Sequence, residues 1–293
     1  MPAFYRKLLP IQPWSPEIVP EEFKLGPESQ RQTDTPQGVV TKHEWKSAVF
    51  SGTVRDYWTY VPAQYDASKP TAFMVFQDGH SYVNADGDIR VPIVFDNLIH
   101  RKELPPIIGI FISPGNFPPE KDGDKGRSNR SFEYDTLSDQ YVRFLTEEII
   151  PAVGNKYNLS THASDHAICG ASSGGICSFT AAWQRPDIFS KVYSMVGSYV
   201  NIACGKTGIE GGHNYPPMVR RMRPIKPIRV FLQAGSNDFE VIPEAGDWYL
   251  SNLEMEAALR FAQYDYKAVF STGGHDCKHG GVLFPDVMRW LWR

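Results

Sequence analysis

Gly170-Ala-Ser172-Ser-Gly174 ends a short apolar run that starts at His166, and a small-residue stretch, Gly175-Ile-Cys177, follows it. A strand that reverses sharply into a helix needs glycines two residues to either side of the turn, where a Cβ would meet neighbouring backbone. Such a turn lifts one side chain clear of the sheet. Ser172 is therefore the candidate nucleophile, and the helix start behind it aims free amides and a positive dipole end at any anion forming beside the hydroxyl. A serine hydroxyl attacks poorly at neutral pH, so it needs a base within hydrogen-bond reach and a carboxylate to fix that base's tautomer. Two later loops offer them. Ala234-Gly-Ser-Asn-Asp238 follows an apolar run ending at Gln233, and Ser271-Thr-Gly-Gly-His275 follows one ending at Phe270.

Of eight histidines, only His275 stands directly after a terminal strand in a glycine-rich loop. Asp238 competes for the acid position with Glu240, Glu244 and Asp247; it lies nearest the strand end, whereas Asp247 has the position of a helix cap. His275, Cys277 and His279 also allow a metal reading, but no fourth ligand accompanies them and the spacing is atypical for zinc. A metal is not expected. The oxyanion formed in acyl transfer needs two aimed donors. One is the backbone N–H of Ser173. The other comes from the loop Gln77-Asp-Gly-His80, where Gly79 lets the main chain approach; the expected donor is the N–H of His80, whose side chain reads as an exposed imidazole.

These groups must be positioned by a sheet. Glu44–Phe50 and Arg55–Val61 alternate aromatic and β-branched residues around a Ser-Gly turn at 51–52 and predict a hairpin. From Thr71 the strands lose their alternation: Ala72–Phe76 and Ile107–Ile112 are continuously apolar, with a predicted helix near Val91–Arg101 between them. Strands covered on both faces and alternating with helices predict a parallel sheet. Leu137, Tyr141, Phe144, Leu145 and Ile149 predict a helix ending around Pro151. Further strands are expected at 166–169, Lys191–Val196, Ile228–Gln233 and Tyr264–Phe270, with helices at 174–184, along an apolar stripe of Leu250, Leu253, Ala257 and Phe261, and at Val282–Leu291. In a parallel sheet the loops after successive strands open at one edge, so Ser172, Asp238 and His275 can converge there. Their order is that of the α/β-hydrolase fold, with an antiparallel N-terminal hairpin, a mostly parallel sheet and helices on both faces.

At 293 residues and 42% hydrophobic content, one large core is available. Residues 1–40, with seven prolines, read as an extended arm, and 41–293 as a single domain. The net charge of -3 disfavours nucleic acid and anionic membranes as partners. No signal-length apolar core stands at the N-terminus, so the expectation is a soluble protein, cytoplasmic as it stands, or secreted or periplasmic where a leader has been removed. The four cysteines, at 169, 177, 204 and 277, are expected to be mostly free thiols, with Cys204 and Cys277 able to pair in an oxidising compartment. Two polar insertions, Pro114–Ser131 and Ile202–Pro227, are candidate walls of a substrate pocket. Arg130, Glu133 and Tyr134 are expected to buttress the elbow through an internal ion pair.

The Gly-Ala-Ser-Ser-Gly-Gly elbow, the Gln-Asp-Gly-His loop, Asn129-Arg-Ser-Phe-Glu-Tyr-Asp135, Gly-Ser-Asn-Asp238 and Gly-Gly-His275 together resemble the esterase D, enterobactin-esterase and feruloyl-esterase superfamily over roughly residues 45 to 292. The resemblance implies a serine esterase without metal or cofactor, with Ser172 as nucleophile, Asp238 as acid, His275 as base, and Ser173 and His80 as oxyanion donors. Ser173 stands where Met or Phe is more usual, and the stretch after His275 lacks the tryptophan common in enterobactin esterases. The expected substrate is an aryl or carbohydrate-linked ester of feruloyl or acetyl type. The alternatives are acyl transfer to a sugar hydroxyl and a non-catalytic binding domain on the same fold.

Overall fold

The computed structural model describes residues 22–121, 125–202, 211–238, 241–242 and 245–293. The chain opens with a hairpin, β1 Val39–Lys46 and β2 Val54–Val61, and then enters β3 Ala72–Gln77, α1 Gly79–Val83, α2 Val91–His100 and β4 Ile107–Ile112. Two short strands, β5 Asn116–Phe117 and β6 Arg127–Ser128, precede α3 Arg130–Asp135. Next come α4 Gln140–Phe144, a π turn at Leu145–Ile149 and α5 Ile150–Gly154, then β7 His166–Ala171, α6 Ser173–Gln184 and β8 Lys191–Met195. The remainder is α7 Tyr215–Arg221, β9 Arg229–Gly235, the small pair β10 Val241–Ile242 and β11 Gly246–Asp247, α8 Trp248–Ala262, β12 Asp265–Ser271 and α9 Lys278–Leu291.

The main sheet runs β12-β9-β8-β7-β3-β4-β2, with β1 on β2 and the β5–β6 pair extending from β2. All pairings from β12 to β4 are parallel, and β2 is antiparallel to both β4 and β1. Every residue of β3 and of β4 is buried, which accounts for their unbroken apolar runs. Successive side chains still point to opposite faces: Phe73 and Val75 join a core with α4, α5, α6 and α8, whereas Met74 and Phe76 pack with α2 and α9. The sheet is thus covered by helices on both sides, as expected. Among the described residues no helix is long and apolar enough to cross a membrane.

Several local expectations are corrected. The first strand ends at Lys46, not Phe50, because the Glu148 carboxylate accepts from the N–H groups of Ala48 and Val49, at 2.8 and 2.6 Å, and folds that segment into a turn. Glu148 lies in the π turn just ahead of Pro151, whose missing N–H and bulky ring oppose a regular α-helical register there. The stripe Leu250, Leu253, Ala257, Phe261 is not the buried face of α8. Leu250 and Phe261 are 56% and 65% exposed, and the helix instead buries Trp248, Asn252, Met255, Leu259 and Ala262. The second insertion is in part a core element, since α7 packs on α8 and buries Tyr215, whose hydroxyl donates to Thr180 Oγ1 at 2.7 Å; its residues 203–210 lie outside the described residues.

Residues 1–21 of the N-terminal arm also lie outside the described residues. From residue 22 the segment packs along α2 and α9: Asn97 donates to the carbonyls of Glu28 and Gln30, Glu28 pairs with Arg289, and Phe23 stacks on His279.

Candidate active site

Ser172 sits between β7 and α6 at φ 58° and ψ −124°, a conformation that non-glycine residues rarely adopt and that persists only where its surroundings impose it. Its N–H donates to Met195 O at 2.9 Å, and its carbonyl accepts from Gly175 and Ser198. A Cβ on Gly170 would overlap the backbone of Gly174, as the elbow reasoning requires. Gly174 is constrained differently: a Cβ there would press on Gln77 Cβ and Asp78 Oδ2, at 3.2 and 3.3 Å, so the elbow helix lies directly against the loop after β3.

The loops after β9 and β12 are equally close-packed. Ser236 N–H donates to Ser271 O, Asn237 N–H to Gly273 O, and a side chain on Gly235 would strike Gly273 backbone. This seam brings Asp238 and His275 together. His275 Nδ1 lies 3.0 Å from both Asp238 carboxylate oxygens, and His275 Nε2 lies 2.8 Å from Ser172 Oγ. The Asp238 side chain is 1% exposed and that of His275 is 14% exposed. The carboxylate at Nδ1 holds the ring proton on that nitrogen, so the lone pair of Nε2 faces the serine hydroxyl. A hydroxyl so placed can pass its proton to the ring as its oxygen attacks an electrophile.

Asp247, a competing carboxylate, caps α8 by accepting from Leu250 N–H at 2.9 Å. Glu240 and Glu244 lie outside the described residues. His279, from the competing metal reading, is turned to other neighbours: Nδ1 is 2.8 Å from Ser271 Oγ and 3.2 Å from Gln233 Nε2. Cys277 is a free thiol, and burial pushes its pKa up to about 12, which disfavours a thiolate. Cys169 and Cys177 are buried free thiols, and Cys204 lies outside the described residues.

Ser173 is the first residue of α6 and His80 the second of α1, so both amides belong to first turns, whose N–H groups have no intrahelical acceptor. The His80 side chain is exposed. Gly79 is required because a Cβ there would overlap the backbone at Phe111 and Ile112. Asp78, in the left-handed region at φ 56°, is fixed by α3. Arg130 Nε and Nη2 each donate to its carboxylate at 2.9 Å, and its N–H donates to Tyr134 Oη at 3.2 Å. From the same helix, the buried Asp135 side chain lies where α3 packs against α6, the helix that Ser173 opens. Burial raises the Asp135 pKa to about 6, with the polar Ser173 side chain and the Arg130 charge opposing the rise and the Asp78 charge adding to it. One short helix thus grips both loops from which the two amides come.

The expected internal ion pair is therefore divided between two partners. Arg130 pairs with Asp78, whereas Glu133 pairs with Arg55 of β2, a residue the sequence did not single out. Two further residues at the site carry no sequence motif: Ser198, whose Oγ is 3.3 Å from Ser172 Oγ, and Trp248, whose ring meets that of His275 edge-on with centroids 5.9 Å apart. The available signal was position, since Ser198 follows the C-terminal end of β8 and Trp248 opens α8 at the same edge.

A family model described as "Putative esterase" matches residues 52–288. The iron(III) enterobactin esterase of Escherichia coli O6:H1 is 23% identical over an alignment covering 98% of this chain and 69% of that protein. The uncharacterized protein YbbA of Bacillus subtilis is 25% identical over 150 residues, 50% of this chain and 57% of that protein. Among solved structures, the enterobactin esterase from Shigella flexneri in the presence of enterobactin superposes with a TM-score of 0.67 at 20% identity, covering 88% of this chain and 59% of that one. A ferulic acid esterase from Anaeromyces mucronatus in complex with ferulic acid superposes with a TM-score of 0.66 at 18% identity, covering 93% of this chain and 97% of that one. At these identities the structural likeness establishes the fold, and the chain spans less than two thirds of YbbA and of the Shigella enzyme. The match over residues 52–288, together with the fold, establishes that the chain belongs to the esterase family.

Proposed function

We propose that the protein is a serine-dependent carboxylic ester hydrolase in which Ser172, His275 and Asp238 act as a catalytic triad. The observation that carries this reading is the continuous hydrogen-bonded line from Asp238 through both nitrogens of His275 to Ser172 Oγ, with contacts of 3.0 and 2.8 Å, on an elbow at strained φ. Ser172 Oγ attacks the ester carbonyl carbon while His275 Nε2 takes its proton. The tetrahedral oxyanion is held by the N–H groups of Ser173 and His80. His275 returns the proton to the departing alcohol, leaving an acyl-enzyme on Ser172. Water then attacks with His275 as base, releasing the acid and regenerating the hydroxyl.

For the substrate we infer an aryl or carbohydrate-linked ester, of feruloyl or acetyl type. Support comes from membership of the esterase family and from similar folds described in complex with ferulic acid and in the presence of enterobactin. The test is a hydrolysis panel of feruloyl esters, acetylated sugars, a siderophore ester and short aryl esters with wild type and Ser172→Ala. Turnover of at least one class, lost in the variant, is expected. Equal turnover by both proteins overturns the nucleophile assignment, and activity confined to the siderophore ester overturns the feruloyl or acetyl assignment.

A further inference from the structure

The chain leaving β8 turns at Val196, which has φ 39° although its side chain is β-branched. Such a residue at positive φ is a genuine outlier, and it persists only where neighbouring contacts over-determine it. Here they do. Val196 N–H donates to Gln233 O at 2.6 Å, Gly197 O accepts from Asn252 Nδ2 at 2.8 Å, and Ser198 N–H donates to Ser172 O at 3.1 Å. The result is that Ser198, 1% exposed, is locked beside the elbow with its Oγ 3.3 Å from Ser172 Oγ. Trp248 Nε1 lies 2.9 Å from Ser198 Oγ.

Donor accounting gives this arrangement a direction. An indole N–H can only donate, so Ser198 Oγ accepts from Trp248. Ser172 directs its own proton at His275 Nε2, which leaves Ser198 as the donor across the Ser198–Ser172 contact. Resting on the serine-hydrolase reading above, we propose that Ser198 is a further catalytic residue, donating a hydrogen bond to Ser172 Oγ as charge develops there, and that Trp248 positions it. No proton leaves Ser198. The Ser172 proton goes to His275 Nε2 as the Oγ–carbonyl carbon bond forms, and the Ser198 O–H favours the oxygen that is losing its proton, both in attack and when Oγ departs during deacylation. Without the indole N–H the Ser198 hydroxyl is free to rotate and accept the Ser172 proton, drawing it away from His275.

The experiment follows the rate of labelling by a fluorophosphonate, kcat and KM for p-nitrophenyl acetate, and thermal melting, in wild type, Ser198→Ala, Trp248→Phe and the double variant. Phenylalanine keeps an aromatic edge against His275 while removing the donor. We expect Ser198→Ala to lower the labelling rate and kcat about tenfold at unchanged KM, the scale of one hydrogen bond. Trp248→Phe should lower both less, the double variant should be no slower than Ser198→Ala, and Ser198→Thr, which keeps a hydroxyl, should recover most of the rate. A wild-type labelling rate in Ser198→Ala, or in Trp248→Phe should the alanine variant not fold, overturns the proposal. So does a double variant whose loss equals the product of the two single losses. A wild-type protein that takes no label at all overturns the serine-hydrolase reading itself, a result distinct from both.

Discussion

Replacing Glu133 with glutamine removes one negative charge from a site with no access to water. Arg55 and Glu133 have 0% exposed side chains and form a two-pronged pair at 2.6 and 2.9 Å, and the guanidinium carbon stands 4.2 Å from the centre of the Phe144 ring. Glu133 also accepts from Gly115 N–H and Asn129 Nδ2 at 3.2 and 3.0 Å. An amide oxygen can keep the Gly115 contact, but Arg55 is left charged, buried and unpaired. Removing one partner of such a pair costs about 3–5 kcal/mol. For a chain of this length a loss of that size lowers Tm by about 5–8 °C, given an unfolding entropy of about 2.1 cal/mol/K per residue. Urea denaturation is the assay, with the change expected in the midpoint at a constant slope. The double variant Arg55→Met/Glu133→Gln removes the orphaned charge and keeps an acceptor, so it should lose no more than about 2 kcal/mol. A loss below about 1 kcal/mol for Glu133→Gln, or a double variant that loses as much as both single variants together, refutes the reasoning. Because Glu133 lies on the helix that carries Arg130, reduced activity should accompany the loss of stability.

Asp135 predicts a pH dependence. Its carboxyl is raised from the ordinary 3.8 to about 6, so the ionised form penalises the folded state above about pH 6, and stability falls as pH rises from about 4 to 6. Asp135→Asn, measured against wild type, should therefore be about 2.5 kcal/mol more favourable at pH 8 than at pH 4; a difference independent of pH refutes it. Gly170→Ala sets a methyl group on the Gly174 backbone and should cost about 1–3 kcal/mol and much of the activity; an unchanged melting curve contradicts the packing described. Asp238→Asn should leave the fold intact and lower kcat by about 10⁴, because His275 loses the carboxylate that fixes its tautomer, and steady-state kinetics would expose a smaller role. Dialysis against EDTA should leave kcat unchanged, whereas a loss restored by zinc would favour the metal reading of His275, Cys277 and His279.

Residues whose placement depends on local chain geometry were the ones legible in the sequence. The elbow glycine at 170, the unbroken apolar runs of β3 and β4, and the positions of Asp238 and His275 after their strands all follow from steric and topological rules that act within a few residues. Roles set by distant partners were not legible. Asn252 is polar yet fully buried, because its amide serves the carbonyls of Gly197 and Trp248, so the inner face of α8 is interrupted by a polar residue while the outer stripe of Leu250, Leu253, Ala257 and Phe261 is unbroken. The pairing of Glu133 with Arg55 joins residues 78 positions apart on elements with no shared pattern. Ser198 lacked any motif of its own; only the folding of β8 beside β7 brings it to the elbow.

The most direct test of the triad is to treat the protein with a fluorophosphonate, digest it and locate the modified residue by mass spectrometry. The account predicts a single phosphonylated residue, Ser172, with the adduct absent from Ser172→Ala and formed far more slowly in His275→Ala. Modification at another residue, or an undiminished rate in His275→Ala, would contradict it.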